Sequence, residues 1–213
     1  TIKGLSITRF TAEAAVFVLG AGNASIVEMN HLGTDRDGAA GLGNKFGVWM
    51  NYTTAVVVRE NLISGNAFSG VLVAGGSANE IRQNSIGTGL NGTGVLSNLD
   101  NGITLYDGAN GTIIDFNVIS GNGNFVGSNG WGIDIQQSGA LADVVNTVIT
   151  NNIIGLDQAG NRIDRGGGEY VDPGPGLVSM GPVNRGNAGG GIRVVRGSGT
   201  VIGTPGAGNT ISG

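Results

Sequence analysis

The stretch GITLYDGANGTIIDFNVISGN, residues 102–122, decides the fold. It carries a short apolar run, Ile103-Thr104-Leu105, then a glycine-rich corner at Asp107-Gly108-Ala109-Asn110-Gly111, then Ile113-Ile114, and last Asn117-Val118-Ile119-Ser120-Gly121-Asn122. Each run is too short to bury its apolar face alone and alternates with the period of two that marks a strand. Such a unit is stable only when copies of it stack.

Copies lie on both sides. The terminal Asn-x-aliphatic element recurs at Asn30-His31-Leu32, Asn61-Leu62-Ile63, Asn84-Ser85-Ile86, Asn117-Val118-Ile119, Asn152-Ile153-Ile154 and Asn209-Thr210-Ile211. An apolar run precedes each, at Ile26-Val27, Val57-Val58, Ile81, Ile113-Ile114, Val148-Ile149 and Val201-Ile202. Further upstream lies a third, at Val16–Val18, Val48–Met50, Val71–Val73, Ile103–Leu105, Ile133–Ile135 and Ile192–Val194. Three strands per copy and no capped helical period predict an all-β fold: a single-stranded right-handed parallel β-helix of about six coils. Adjacent coils are then ~4.8 Å apart, the usual strand spacing. The alternate residues of the third run, Val48, Met50, Val71, Val73, Ile103, Leu105, Ile133, Ile135, Ile192 and Val194, point inward, as does the column Leu32, Ile63, Ile86, Ile119, Ile154 and Ile211. The six aligned residues Asn30, Asn61, Asn84, Asn117, Asn152 and Asn209 are expected at a corner in the left-handed region that asparagine tolerates, stacked as an amide ladder.

Coils ending in Ser-Gly alternate with coils ending in Gly and followed by a loop, such as Gly33–Asn44, so the repeating unit reads as two coils, one tight and one looped. The whole of 1–213 reads as one β-helix domain. The segment 158–190 departs from the repeat and reads as a long protruding insertion; loops of that length are commonly functional or disordered. Strand-like sequence begins by Ile2 and the last coil stops at Ser212-Gly213. The chain therefore reads as a piece of a longer protein, whose open strand edges are expected to meet further coils of that protein or subunits stacked end to end.

Composition fits this reading. Gly is 43 of 213 residues, and charged residues are only 12%. That suits a surface of turns, Asn and backbone. Cysteine is absent, which removes disulfide frameworks and thiolate metal sites. Net charge is −4 without a basic cluster, so a nucleic-acid partner is not expected. No apolar run approaches the length of a membrane span, so membrane insertion is not expected.

The alternating Asn-x-Ile-Ser-Gly-Asn and Asn-x-Ile-Gly endings, the opening Ile2-Lys3-Gly4-Leu5-Ser6-Ile7 and the closing Val201–Gly213 resemble bacterial right-handed parallel β-helix repeat proteins of the pectate-lyase-like superfamily. The resemblance covers nearly the whole chain outside the insertion. It implies an extracellular or cell-surface bacterial protein with a structural or adhesive role. It also admits a polysaccharide-active enzyme of lyase or epimerase type, or a carbohydrate-binding domain, because this scaffold carries many functions. The enzyme motifs of the superfamily (Asn-Thr-Asp, Asp-Asp, Gly-His-Gly, Asp-Pro-His) do not occur.

Candidate chemistry gathers on one outward face. Phe17, Trp49 and Tyr106 are expected to face out, where they either stack on sugar rings or are covered by loops or a partner. Asp134 and Arg193 are expected as neighbours on adjacent coils, in a surface ion pair of small stabilising effect or as a polar patch. Tyr170 lies in the insertion and joins this candidate set for binding a sugar or a partner. His31 is the single histidine and reads as a surface residue. Asp35 and Asp37, in Asp35-Arg36-Asp37-Gly38, match the start of a calcium loop but lack its later ligands. No cofactor is expected otherwise.

Overall fold

The computed structural model describes residues 1–20, 24–123, 130–136, 142–161 and 186–212. It is a parallel β-helix. From Ala14 on, each coil runs through a first, a second and a third sheet in turn, and the strand pairings between coils are parallel. The first sheet has six strands: Ala14–Leu19, Phe46–Thr54, Val71–Ser77, Ile103–Tyr106, Trp131–Ile135 and Gly190–Val194. The second and third sheets have seven strands each. The one helical segment among the described residues is the short 3-10 turn Leu90–Gly92.

The two longer sheets add a partial coil to the six expected ones. Ile2–Lys3 and Ser6–Ile7 supply an extra strand to each. Alignment on asparagine does not count this coil because Leu5 holds the ladder position, where its N–H donates to Asn30 Oδ1 at 3.0 Å. Strand lengths differ between the sheets. Third-sheet strands have two residues, while Phe46–Thr54 has nine.

The core is a set of stacked aliphatic columns. Ile63, Ile86, Ile119 and Ile154 are fully buried, as are Val58, Ile81, Ile114 and Ile149 from the second sheet and Ile103, Leu105, Ile133 and Ile135 from the first. Burial fades in the last described coil, where Val194, Ile202 and Ile211 are exposed and Ile192 only half-buried. Each has a neighbouring coil on one side only. Gly102 shows how tightly the columns fit. A Cβ there would meet Ile119 Cγ2, Asn122 Nδ2 and the Gly132 carbonyl of the next coil.

The six aligned asparagines lie inside the turn between second and third sheets. Asn61 Oδ1 accepts from both the N–H and the side-chain amide of Asn30, at 3.0 Å each, and the pattern repeats through Asn84, Asn117, Asn152 and Asn209. The expectation that these residues adopt the left-handed conformation is wrong. The residue before each of the first five does: Met29, Glu60, Gln83, Phe116 and Asn151 have φ of 53 to 56°. The preceding residue turns the chain so that the asparagine side chain can enter the coil and reach the next amide. A non-glycine residue there costs about 1–2 kcal/mol, which the bonds it permits must offset.

A second buried column runs beside it, between third and first sheets, through Asn44, Asn66, Asn98, Asn122 and Asn187. Asn66 Oδ1 accepts from Asn44 Nδ2 at 3.1 Å, and Asn66 Nδ2 donates to Asn98 Oδ1 at 2.9 Å. The sequence reading did not identify this ladder.

Residues 162–185, which hold Tyr170 and most of the expected insertion, lie outside the described residues.

Candidate functional site

The outward face of the first sheet is built by strand register. Phe17, Trp49, Leu72, Thr104, Asp134 and Arg193 follow one another on successive coils. The face divides into an aromatic and a polar half.

In the aromatic half the Phe17 and Trp49 rings lie 4.7 Å apart, Trp49 and Phe46 5.7 Å, and Phe46 and Phe68 5.4 Å. The rings are tilted against one another, in the range where aromatic pairs attract. Phe17 and Phe68 remain 44% and 46% exposed at the two ends of the chain of rings, so the strip is open to solvent. The Lys45 ammonium stands 5.8 Å from the Phe46 ring, within cation–π reach. Trp49 Nε1 is buried without a hydrogen-bond partner. Tyr106 does not join the strip. It pairs with Ala74 in register, one residue pair further along the strand and two coils beyond Trp49. Burial first, and Asp107 second, raise its hydroxyl pKa.

In the polar half Asp134 is fully buried, which corrects the expected surface ion pair. Arg193 grips it with two hydrogen bonds, Nε to Oδ1 at 2.7 Å and a terminal guanidinium nitrogen to Oδ2 at 2.6 Å. Those bonds raise the Arg193 pKa above its ordinary value. Asp134 is covered by residues the sequence reading passed over. Asn101, itself buried, donates to Asp134 Oδ2 and to Thr104 Oγ1 and accepts from the Gly130 and Trp131 N–H groups. Ser69 bridges Thr104 and Asp100 at 2.9 Å each. The other Asp100 oxygen is buried without a partner. Arg193 also lies 5.3 Å from the Trp131 ring. Trp131 rests on Gly189 and Gly190, where any Cβ would meet the indole. The signal for this cluster was available in Asn101, which directly precedes the Gly102 that opens a first-sheet strand.

The aspartates two residues after Gly33 and Gly155 hold the loops that they open. Asp35 Oδ1 accepts from the Ala39 and Ala40 N–H groups at 2.8 and 3.2 Å. Asp157 does the same for Ala159 and Asn161. Each carboxylate closes its own loop. Asp37 is exposed, and no three metal-ligating side chains gather among the described residues.

The bonds from Ala40 and Ala39 hold the Asp35 pKa below the usual carboxylate range, and the bond from Asn161 does so for Asp157. A lowered native pKa means that the stabilisation is complete above the unfolded value and is lost as pH falls through the native one. Amide exchange at Ala39 and Ala40 is therefore expected to lose its protection at acidic pH, below the usual carboxylate range. In Asp35→Ala that pH dependence should vanish, and a pH dependence left intact would remove the carboxylate from this role.

No family model, curated protein or solved structure matches the chain.

Proposed function

We propose that this chain is a structural or adhesive module of an extracellular or cell-surface bacterial protein, akin to the β-helix repeat proteins its motifs resemble, and that the first-sheet face makes the contact. The observation that carries the reading is the open aromatic strip Phe17–Trp49–Phe46–Phe68 on a base of stacked, hydrogen-bonded coils. Exposed apolar patches of this kind mark contact surfaces, and rings held on rigid strands lose little freedom on binding. The Asp134–Arg193 pair, clamped beneath Asn101, holds the adjoining half of the face in shape.

A second reading has its own support. The unpartnered Asp100 oxygen next to Asp134 and Arg193 suits a polysaccharide-active enzyme of lyase or epimerase type, or a carbohydrate-binding domain.

A glycan array, combined with a lyase assay on acidic polysaccharides, separates the two. The adhesive reading expects binding that falls about tenfold or more in Phe17→Ser and Trp49→Ala, the size of an interface anchor, with no unsaturated product. Unsaturated product that disappears in Asp100→Asn would replace it with the enzyme reading.

A further inference from the structure

The third sheet has an outward face of its own. Ser6, His31, Leu62, Ser85 and Val118 succeed one another there by register. Loops from the looped coils fold back over it. Gly38 lies against Leu62 and Leu90, and the Leu90 N–H reaches the Gly38 carbonyl at 3.4 Å. Gly92 lies against Gln158 and Val118. Loops from three looped coils thus touch one another across the tight coils between them, which gives the alternation of tight and looped coils a physical purpose.

Between these loops and the corner residues remains a groove of about 340 Å³. Its floor is His31, Leu62 and Ser85. Met29, Glu60 and Gln83 form one wall, and Leu90 and Gln158 the other. The wall residues Met29, Glu60 and Gln83 are those in the left-handed conformation before each ladder asparagine. Their backbone is therefore fixed by the ladder, while Glu60 and Gln83 remain exposed at the surface. His31 Nδ1 lies 3.1 Å from the Asp35 carbonyl oxygen. A carbonyl only accepts, so Nδ1 carries the proton and Nε2 of the neutral ring is an acceptor.

We propose that this groove binds one neutral sugar ring. Its volume is at the small end of ligand pockets, about 300–1,000 Å³, which suits a single ring rather than a chain. The lining offers a carboxylate, two amides, a hydroxyl and an imidazole. Together these donate and accept, as hydroxyl groups require. No lysine or arginine lines it to hold an anion. Leu62 and Leu90 supply apolar surface for the C–H face of a ring. The site is on a different sheet from the aromatic strip and does not rest on the adhesive reading.

The test is NMR titration of the chain with D-glucose, D-galactose and D-mannose at millimolar concentrations, with D-glucuronate and D-galacturonate alongside. Each neutral sugar is also presented as the terminal unit of a short oligosaccharide, to separate a free sugar from a glycan end. At least one neutral sugar, free or terminal, should shift the resonances of His31, Ser85 and Gln158. Glu60→Gln should weaken that binding about tenfold, as the loss of a hydrogen bond to a charged group does. Gln158→Ala, on an exposed loop, should weaken it in a chain whose unfolding is unchanged. Trp49→Ala should leave it intact, so failure here and failure of the first-sheet reading are distinguishable. No shift at these residues with any neutral sugar, shifts unaffected by both groove variants, or tighter binding of the uronates would overturn the proposal.

Discussion

Asn117→Ala is expected to lower the unfolding free energy by about 3 kcal/mol. Asn117 Oδ1 accepts from Asn84 twice, through the main-chain N–H and through Nδ2. Its own Nδ2 donates to the Ile81 and Asp115 carbonyls and to Asn152 Oδ1. Asn84 Nδ2 keeps a partner in the Val58 carbonyl after the change, and Asn152 Oδ1 keeps the Asn117 N–H. The Asn84 N–H loses the acceptor it has here. An orphaned buried donor costs about 1–3 kcal/mol, and each lost bond adds about 0.5–1.5 kcal/mol. Arg36→Ala, at an exposed loop position, should stay within about 0.5 kcal/mol. Urea unfolding of both variants checks this, and equal midpoints would mean that the amide column does not hold the coils.

The second large effect is expected at Gly87. It ends a third-sheet strand at φ +84°, and a Cβ there would overlap Asn122 Oδ1 and the Ser120 carbonyl of the next coil. Alanine at this position meets two obstacles, the left-handed backbone and the second asparagine column. The combined cost is about 3 kcal/mol or more, since overpacking alone costs about 1–3 kcal/mol. Gly94 separates the two. Its φ is +67° but nothing lies within 4 Å of an added Cβ. Gly94→Ala should therefore show the dihedral cost alone and unfold at clearly higher urea than Gly87→Ala. If the two variants unfold together, the overlap is relieved cheaply and the second column is not tight.

The parts of the fold that were legible in the sequence are those with fixed spacing. Asn117, Val118 and Ile119 recur as a rigid triplet because each coil makes the same turn with the same number of residues. The same regularity displayed the inward columns and the outward positions Phe17, Trp49, Asp134 and Arg193. The second ladder has no such spacing. Asn66, Asn98 and Asn187 stand four residues before Gly70, Gly102 and Gly191, but Asn44 stands three before Gly47 and Asn122 ten before Gly132. Loops of variable length enter the chain at this corner, so the column forms in space without a period in sequence. The left-handed corner was assigned to the wrong residue for a related reason. Asparagine tolerates that conformation, but here its side chain is needed inside the coil, and the turn passes to Met29, Glu60 or Gln83. Asp134 was read as exposed because strand alternation gives only the direction of a side chain. Its cover comes from Asn101 and Arg193, on other coils, and the period of two contains nothing about them. The groove over the third sheet was likewise invisible, since it depends on loops of separate coils meeting across Leu62 and Val118.

Two columns of asparagine amides hold the coils in register. Hydrogen exchange of the side-chain amides of Asn66, Asn84, Asn98 and Asn117, followed by NMR, tests that most directly. Exchange slowed to the rate of global unfolding is expected, as for groups at the core of a cooperative unit, while the exposed Asn161 side-chain amide, bonded among the described residues only to the Asp157 carboxylate at the surface, exchanges far faster. Exchange of the ladder amides as fast as that of Asn161 would contradict it.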